Sequence, residues 1–420
     1  MIITAVAVGT RGDVDPLAEL GEEMIRRGHQ FRILTSVAFK QFIESKGVEF
    51  IPLDTDANHV MKYLVTDYRT SLDFARGMFR LKKENPAFME QTLAAIKGSD
   101  LVMYGICAAF ARHAAEHLGI PCARVFYSPM DPTGQYSLYT DEYDSEKVLK
   151  SYSMLPAGMN LMTMIALNKW RKSVGLQKWK RTSTYTELNG RNVLTFYPTS
   201  PQLMPPDPAW GDRIHVTGYW YHTEESSAGY HEPQELTEFF AKGEKPIFVA
   251  FGKAESPELA KLQLLMLEAL KQSGIRAVVQ AFQIPEKERV NTDQLYFIGA
   301  VPYPYIFEKV RAVVHHGGNT TNGMGLRAGL PTLIIALALD QYFYGRMDHR
   351  LNLGPAPLYI RKRLCTVPEI REALTDLVSG KYDASAKMIS ERIKRENGVA
   401  EAADAIEQYI YGTKCSRQIY

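Results

Sequence analysis

The sequence predicts an α/β protein made of two Rossmann-like halves, each built on a parallel sheet. Apolar runs of strand length alternate with stretches of helical periodicity through both halves, which is the pattern of parallel sheets covered by helices. The alternation breaks at residues 197–210, where five prolines indicate a domain boundary. A chain of 420 residues with 45% hydrophobic content is long enough to bury two cores.

The elements follow this pattern in order. In the first half, strands are predicted at residues 2–8, 31–35, 101–104 and 123–126, and a helix at residues 16–27. In the second half, strands are predicted at residues 247–251, 277–280, 295–298, 312–315 and 332–335, and the chain beyond Tyr382 is helical. The apolar run at residues 1–8 is too short for a signal peptide core with a basic lead, so we expect a cytosolic protein.

Composition narrows the classes of partner. The 49 basic residues are nearly balanced by 47 acidic ones, which argues against nucleic acid as a partner and favours small molecules. The four cysteines have no paired spacing, so free thiols in a reducing compartment are expected rather than disulfides or a zinc site. We expect no metal cluster. The cysteines are Cys107, Cys122, Cys365 and Cys415.

The most informative segment is His315-His316-Gly317-Gly318-Asn319-Thr320-Thr321. It follows a short buried strand, its glycines let backbone N–H groups approach a ligand closely, and its threonines open a helix. The positive end of such a helix favours an anion. The segment therefore predicts a diphosphate site.

The loop after the first strand excludes one common cofactor. A dinucleotide fingerprint would need glycine at the positions of Arg11 and Val14, and no acidic residue closes the second strand. An oxidoreductase is therefore excluded. Asp15-Pro16 has the pattern of a helix N-cap followed by proline in the first turn, so Asp15 is predicted to be structural. Asp13 is left without a structural role.

Several motifs together resemble one family of enzymes. They resemble the signatures of nucleotide-sugar glycosyltransferases of the GT-B fold, family 1, which holds sterol glucosyltransferases and antibiotic and rhamnolipid glycosyltransferases. In chain order the motifs are Gly9-Thr10-Arg11-Gly12-Asp13-Val14, Thr217-Gly218-Tyr219-Trp220, Phe251-Gly252, the double histidine, Asp340-Gln341-Tyr342-Phe343-Tyr344-Gly345 and Gly354-Pro355-Ala356-Pro357.

The resemblance implies an architecture and a reaction. It implies an acceptor-binding domain at residues 1–205, a donor-binding domain at 206–398 that faces it across a cleft, and a helix at 399–420 that braces the first domain. The expected reaction is inverting and needs no metal or cofactor. It moves a sugar from a UDP- or dTDP-sugar co-substrate to a hydroxyl of an apolar acceptor, which could equally be a natural product, a sterol or a glycolipid.

By the same resemblance, Asp13 is the base that removes the proton of the acceptor hydroxyl, as glycosyl transfer requires. The alternative is that Asp13 only hydrogen-bonds loop amides or Arg11. His29 is the competing histidine, but it follows Gly28 after the first helix, where we expect a C-terminal cap.

The expected donor contacts lie in the second half. His316 is the implied diphosphate ligand, whereas His315 ends a strand and packs. Lys253 stands where relatives have serine or threonine, so it either contacts the diphosphate or faces solvent. The other implied diphosphate contacts are Gly252, Gly317, Gly318, Thr320 and Thr321.

Asp340 and Gln341 are implied to bind the transferred sugar, and Asp340 could also cap its helix. The nucleobase is expected beside Val301, with Tyr303 or Tyr305 replacing the tryptophan that plant members stack on it. Met324 stands where plant members bind ribose with glutamate, which leaves dTDP-sugars as plausible as UDP-sugars.

The acceptor side is predicted around a methionine-rich helix at residues 154–170, followed by basic residues. Three interpretations of this helix stay open. It forms an adaptable wall for an apolar acceptor, or it makes a peripheral contact with the inner membrane face. The third is an ordinary core helix with a solvated basic end. The predicted acceptor contacts are Gly12, Tyr127, Met130, Tyr136, Met159 and Met162.

Two other functions stay open from the sequence. A non-hydrolysing nucleotide-sugar epimerase shares the two-domain architecture and a similar Gly-Thr-Arg start, but continues with Pro-Glu where this chain has Gly12-Asp13. The other is a sugar-nucleotide-binding protein without catalysis. A monomer and a homodimer are equally compatible with the sequence.

Overall fold

The chain divides into two compact units. The computed structural model describes residues 1–56, 59, 62–63, 71–137, 144–152, 154–221, 230–252, 257–280, 282, 284–337, 340–360 and 363–415. One unit comprises Met1–Tyr221 with Asn397–Tyr420, and the other comprises His222–Glu396. The first unit extends past the boundary predicted at residues 205/206, because a further strand after the proline-rich segment joins its sheet.

The first unit is built on a seven-stranded sheet in the order β3-β2-β1-β4-β5-β8-β9, with every neighbouring pair parallel. A separate antiparallel pair is formed by β6 and β7. The strands are β1 (Ile2–Val6), β2 (Gln30–Thr35), β3 (Glu49–Pro52), β4 (Leu101–Tyr104), β5 (Cys122–Val125), β6 (Glu187–Leu188), β7 (Arg191–Asn192), β8 (Leu194–Tyr197) and β9 (Ile214–Val216).

Helices cover both faces of this sheet and bury two apolar clusters against it. The first helix packs its apolar face, which includes Val14, Leu17 and Met24, against the apolar cluster that also contains side chains of β1. The helices are α1 (Arg11–Arg26), α2 (Lys40–Ser45), α3 (Ser71–Glu84), α4 (Phe88–Ile96), α5 (Ala111–Leu118), α6 (Ser145–Ser151) and α7 (Met154–Ser173), with 3-10 turns at Val37–Phe39, Ile106–Ala108 and Pro208–Arg213.

The second unit has a six-stranded parallel sheet in the order β12-β11-β10-β13-β14-β15. The predicted α/β class with two parallel sheets is therefore confirmed. The strands are β10 (Ile247–Ala250), β11 (Ala277–Gln280), β12 (Leu295–Ile298), β13 (Val313–His315), β14 (Thr332–Ala336) and β15 (Leu358–Tyr359). The helices are α8 (Gln234–Ala241), α9 (Pro257–Ser273), α10 (Tyr303–Lys309), α11 (Asn319–Arg327), α12 (Asp340–Arg350), α13 (Val367–Leu377) and α14 (Asp383–Ile393), with a 3-10 turn at Glu286–Glu288.

The final helix, α15 (Gly398–Cys415), belongs to the first unit and packs against α1. Arg27 and His29 both contact Glu407 on α15, at 3.0 Å and 2.7 Å. The His29 ring contacts Glu407 and makes no hydrogen bond to an α1 carbonyl among the described residues, but its backbone N–H does close the helix by donating to the Met24 carbonyl oxygen (3.0 Å). The Gly28 N–H donates in the same way to the Ile25 carbonyl oxygen (2.9 Å).

Three glycines serve packing, and two of them, Gly345 and Gly354, belong to the recognised motifs. A Cβ on Gly398 would lie 2.4 Å from the carbonyl oxygen of Gly218, where α15 begins against the Thr217–Trp220 turn. A Cβ on Gly354 would lie 1.8 Å from the carbonyl oxygen of Thr332, and one on Gly345 would lie 2.7 Å from the Pro357 ring. Close backbone approach therefore explains glycine at these three positions without a ligand.

Candidate active site

Asp13 lies in the first turn of α1 as part of a capping box. Thr10 is the N-cap, and Asp13 Oδ2 accepts from the Thr10 backbone N–H (2.7 Å) and from its hydroxyl (3.1 Å). The alternative role of Asp13, a hydrogen bond to a loop amide, is therefore confirmed for one oxygen. The predicted N-cap role of Asp15 is wrong, because α1 begins earlier, at Arg11.

The second oxygen of Asp13 is differently placed. Within the described part of the chain, no hydrogen bond to Oδ1 is found, and Arg11 pairs with Asp15 (2.9 Å) rather than with Asp13. Burial raises the pKa of Asp13, and the hydrogen bonds from Thr10 oppose that shift. The carboxylate thus has one oxygen fixed by the helix cap and one without such a bond, and it is a stronger base than an exposed aspartate.

Gly9 allows the Asp13 carboxylate to lie close to the backbone before α1. Its φ is +157°, and a Cβ on it would lie 2.2 Å from Asp13 Oδ2. A side chain at this position would displace the carboxylate, so the glycine of the first motif is needed for the position of Asp13.

Two of the predicted acceptor contacts, Tyr127 and Gly12, are next to Asp13. The Tyr127 hydroxyl donates to the Asp13 carbonyl oxygen (3.3 Å), and Gly12 is exposed in the same helical turn. Tyr136 is placed differently. Its hydroxyl donates to the Pro205 carbonyl oxygen (2.8 Å) and its side chain is 4% exposed, so little of it is left for an acceptor.

Met130 is half-buried in the loop that follows β5. Its backbone N–H donates to the Tyr197 hydroxyl (3.0 Å), and the same hydroxyl donates to Asp131 Oδ2 (2.7 Å). Arg124, from β5, pairs with the other oxygen of Asp131 (2.7 Å). This buried network fixes the loop behind Met130, and no local pattern in the sequence indicates it.

The methionine-rich helix α7 buries several polar side chains and exposes two large apolar ones. Asn160, Thr163 and Arg171 are 1%, 8% and 2% exposed, whereas Leu161 and Ile165 are 44% and 51% exposed. Arg171 forms a bidentate pair with Glu116 (2.7 and 2.9 Å). The interpretation as an ordinary core helix with a solvated basic end holds for Leu167, which is 4% exposed, and for the exposed Lys172. It is wrong for Arg171, which is buried, and for the exposed leucine and isoleucine. Met159 and Met162 are half-buried.

The diphosphate loop begins where β13 ends. His315 is fully buried and its Nδ1 accepts from the Gly317 backbone N–H (2.9 Å), which confirms that His315 ends the strand and packs. His316 is partly exposed, its ring lies over Gly318, and a Cβ on Gly318 would lie 2.7 Å from His316 Nε2. Gly252, after β10, lies near the same ring, because a Cβ there would lie 3.7 Å from His316 Cε1.

His316 is neutral at physiological pH. Burial lowers its pKa to about 4, and Nδ1 is buried without a hydrogen-bond partner among the described residues. A neutral imidazole can donate one N–H bond to an anion but carries no charge of its own. His316 is therefore suited to be a directional donor.

The start of α11 is a helix N-terminus whose N-cap residue supplies no side-chain cap. Gly318 occupies the N-cap position, and a glycine has no side chain with which to cap the first turn. Thr320 is partly exposed there and Thr321 is 8% exposed. Backbone N–H groups that no side chain caps are the groups that helix N-termini present to phosphates.

The predicted sugar-binding pair lies beside this loop. The helix α12 begins at Asp340, and a Cβ on Gly317 would lie 3.2 Å from Gln341 Cβ. Gln341 Oε1 accepts from the Leu337 backbone N–H (2.7 Å), which fixes the side chain across the end of β14. The structure therefore brings Gln341 and the diphosphate loop together within one unit.

The predicted nucleobase contacts are Val301 and Tyr303. Val301 is 9% exposed, and the Tyr303 ring stacks on Phe307 at 5.1 Å between ring centroids. Tyr305 packs instead against Tyr230 (4.8 Å). Lys253 lies outside the described residues.

In the part of the chain that the structure describes, no group of three or more His, Cys, Asp or Glu side chains could hold a metal ion. Over the same residues, none of the helices has both the length and the apolar composition needed to cross a bilayer.

Comparison with solved structures decides the fold. The glycosyltransferase of kitacinnamycin superposes with a TM-score of 0.69 at 18% identity, over 97% of this chain and 98% of that one. The chain has the GT-B glycosyltransferase fold. Another GT-B structure, the Streptomyces sp. SF2575 glycosyltransferase SsfS6 complexed with thymidine diphosphate, gives a TM-score of 0.60 at 18% identity over 97% of this chain and 99% of that one.

Sequence comparison agrees with this fold. Residues 3–136 match the Glycosyltransferase family 28 N-terminal domain, whereas the motifs resemble family 1. The chain is 30% identical to a sterol 3-beta-glucosyltransferase of Debaryomyces hansenii and 28% identical to one of Arabidopsis thaliana, over 96% and 99% of its length. It spans 26% of the yeast protein and 66% of the plant protein.

Proposed function

We propose that this GT-B protein is an inverting glycosyltransferase (a hexosyltransferase) that moves a sugar from a UDP- or dTDP-sugar to a hydroxyl of an apolar acceptor. The observation that carries the proposal is the Asp13 carboxylate, which has one oxygen held by Thr10 and a pKa raised by burial. The glycine N-cap of α11 beside His316 supports it from the donor side.

In the proposed step, Asp13 Oδ1 takes the proton of the acceptor hydroxyl while its oxygen forms a bond to the anomeric carbon. The bond between that carbon and the diphosphate oxygen breaks, and the electron pair leaves with the diphosphate. Backbone N–H groups at the start of α11 and one N–H of His316 stabilise the departing charge. An α-linked donor would give a β-glycoside.

The proposed substrates are inferred from the names of the similar proteins. The yeast and plant relatives are named sterol 3-beta-glucosyltransferases, which supports a sterol-like hydroxylated acceptor and a glucose donor. The solved relative that carries thymidine diphosphate keeps dTDP-sugars open. We propose roles in diphosphate and sugar binding for Gly252, Gly317, Thr320, Thr321 and Asp340, and we leave Lys253 without an assigned role.

We also propose that α7 contacts an anionic membrane surface at the cytoplasmic face. Leu161, Ile165, Lys169 and Lys172 share one exposed face of the helix, and Phe79 on the adjacent α3 is 50% exposed. Apolar side chains beside lysines suit insertion at a lipid headgroup layer. An apolar acceptor would reside in that layer.

The experiment is a donor and acceptor panel. The purified protein is incubated without metal with UDP- and dTDP-sugars, with and without sterols and other apolar alcohols, and nucleotide diphosphate release is measured. Acceptor-dependent release that falls by about 10²- to 10⁴-fold in Asp13→Asn, with donor binding retained, is the expected result. Release that is equal in Asp13→Asn and in the unmodified protein would overturn Asp13 as base.

The same panel separates the alternatives. A non-hydrolysing epimerase would convert the donor sugar into its isomer without an acceptor. A binding protein would bind the donor tightly without release or isomerisation across the whole acceptor set.

A further inference from the structure

Two buried hydrogen bonds join the helix after the diphosphate loop, α11, to the helix that begins with the sugar-binding pair, α12. The Tyr344 hydroxyl donates to Asn319 Oδ1 (2.5 Å), and Asn322 Nδ2 donates to Asp348 Oδ1 (3.2 Å). Tyr344 and Asp348 are four residues apart on α12, and Asn319 and Asn322 are three apart on α11, so each set lies on one helical face. We call these bonds the cross-helix pairs.

The cross-helix pairs lie in the interior of the second unit. Tyr344 and Asn322 are fully buried, Asp348 is 2% exposed and Asn319 is 7% exposed. The same two helices meet at their starts, where Gly317 packs against Gln341. The position of α12 relative to the diphosphate loop is therefore set both at its first turn and by two polar contacts further along.

Asp348 is an unusual residue for this place. Its second oxygen, Oδ2, is buried without a hydrogen-bond partner among the described residues. Burial raises the pKa of Asp348 to about 8, and the Asn322 bond opposes the shift. At neutral pH the group is a carboxylic acid, because an ionised carboxylate at this site would be buried without a counter-charge.

The surroundings of Asp348 contain little that could compensate a charge. On α11 the only ionisable side chain is Arg327, whose guanidinium donates to the Ile393 carbonyl oxygen, and β14 has none. His315, at the end of β13, is neutral because burial lowers its pKa to about 3. On α12 itself, Arg346, His349 and Arg350 lie within two residues of Asp348 in the chain, and His349 contacts the Gly354 carbonyl oxygen. The pKa of Asp348 is set by its burial and by the Asn322 bond and by none of these three.

We infer that the cross-helix pairs fix the spacing between the diphosphate-binding start of α11 and the sugar-binding start of α12, and that Asp348 is a positioning residue of the donor site. The inference rests on the proposed function, because it concerns the donor contacts assigned there. Asp348 itself touches no donor; it acts through Asn322. Loss of a pair would misplace the sugar relative to its diphosphate and leave the diphosphate contacts in place.

The test compares Asp348→Leu, which removes the bond at similar size, with Asp348→Asn, whose amide oxygen still accepts from Asn322. The Kd of UDP is measured by calorimetry, and kcat is measured with UDP-glucose. We expect Asp348→Leu and Tyr344→Phe to lower kcat by about 10- to 100-fold with little change in the Kd of UDP, and Asp348→Asn to stay near the unmodified protein. Tyr382→Phe, which removes the hydroxyl bond of another buried tyrosine to the partly exposed Asp376, is the control.

A pH profile tests the same inference without a disruptive variant. The unmodified protein should lose kcat as pH rises through about 8, where Asp348 ionises, and Asp348→Asn should lack this alkaline loss. The inference is overturned if the two profiles coincide, or if Asp348→Leu folds and keeps its kcat. It is also overturned if kcat and UDP binding fall together in that variant. Failure of the unmodified protein to bind any nucleotide would instead refute the proposed function.

Discussion

The hydroxyl of Tyr127, which follows β5, donates to the main-chain carbonyl oxygen of Asp13 in the first turn of α1 (3.3 Å). The bond joins the segment after β5 to the first turn of α1, which follows β1, and β4 lies between these two strands in the sheet. It holds the main chain of the proposed base, whereas Thr10 binds the side chain. Asp13 is thus positioned through both its main chain and its side chain.

Tyr127→Phe should lower kcat/KM by about 2- to 10-fold, because one neutral hydrogen bond contributes roughly 0.5–1.5 kcal/mol. Steady-state kinetics with the best acceptor would measure it. Tyr409→Phe, which removes a tyrosine hydroxyl bond to the Asn192 carbonyl oxygen in the same unit, should leave kcat/KM unchanged. Equal effects of the two changes would show that Tyr127 contributes only to stability.

Gly9→Ala should reduce transfer far more than it reduces stability. The added Cβ would lie 2.2 Å from Asp13 Oδ2, so the carboxylate must move away from the Thr10 cap. Gly28→Ala is the matched control, since its φ is +85° and no atom lies within 4 Å of the added Cβ. Kinetics and thermal unfolding of both variants check this, and a Gly9→Ala enzyme with normal kcat would contradict it.

Thr10→Val should move the acidic limb of the kcat/KM profile to higher pH. The Thr10 hydroxyl donates to Asp13 and lowers its pKa, so its loss lets burial raise that pKa further. Because the base acts when deprotonated, activity is present above the pKa of Asp13 and is lost as pH falls through it. Thr10→Ser, which keeps the hydroxyl, should retain the original profile. An unshifted limb in Thr10→Val would mean that another group titrates there.

Leu161→Ser with Ile165→Ser should weaken binding to vesicles that contain anionic lipid. Both side chains are about half exposed on α7, and burial of an apolar side chain of this size contributes about 1.5–3 kcal/mol. Vesicle sedimentation would measure the loss. Leu264→Ser, at a leucine that is 41% exposed in the second unit, is the control. If the double variant binds the vesicles as well as the unmodified protein does, α7 does not form the membrane contact.

Much of the fold could be predicted because it depends on local pattern. The apolar runs that form β1, β4, β11 and β12 are short, buried and bounded by turn residues, and the predicted strands match them to within two residues. The start of α1 could not be predicted from Asp15-Pro16 alone, because the competing cap at Thr10 acts through Asp13, three residues later. Both patterns are compatible with the start of a helix, and in the structure the helix begins at the earlier one, with Thr10 as its N-cap.

By itself, the sequence determined the α/β class, the two parallel sheets, the glycine turn before α11 and the neighbourhood of Asp13, because these depend on periodicity and on contacts within a few residues. The tertiary structure decided which face of α7 is buried, that Glu407 binds His29, and that Tyr344 and Asp348 meet α11. These contacts join residues far apart in the chain or depend on which side of a helix meets a neighbour. Burial of a polar group is favourable only where a partner from another element satisfies it, and no local pattern records that partner.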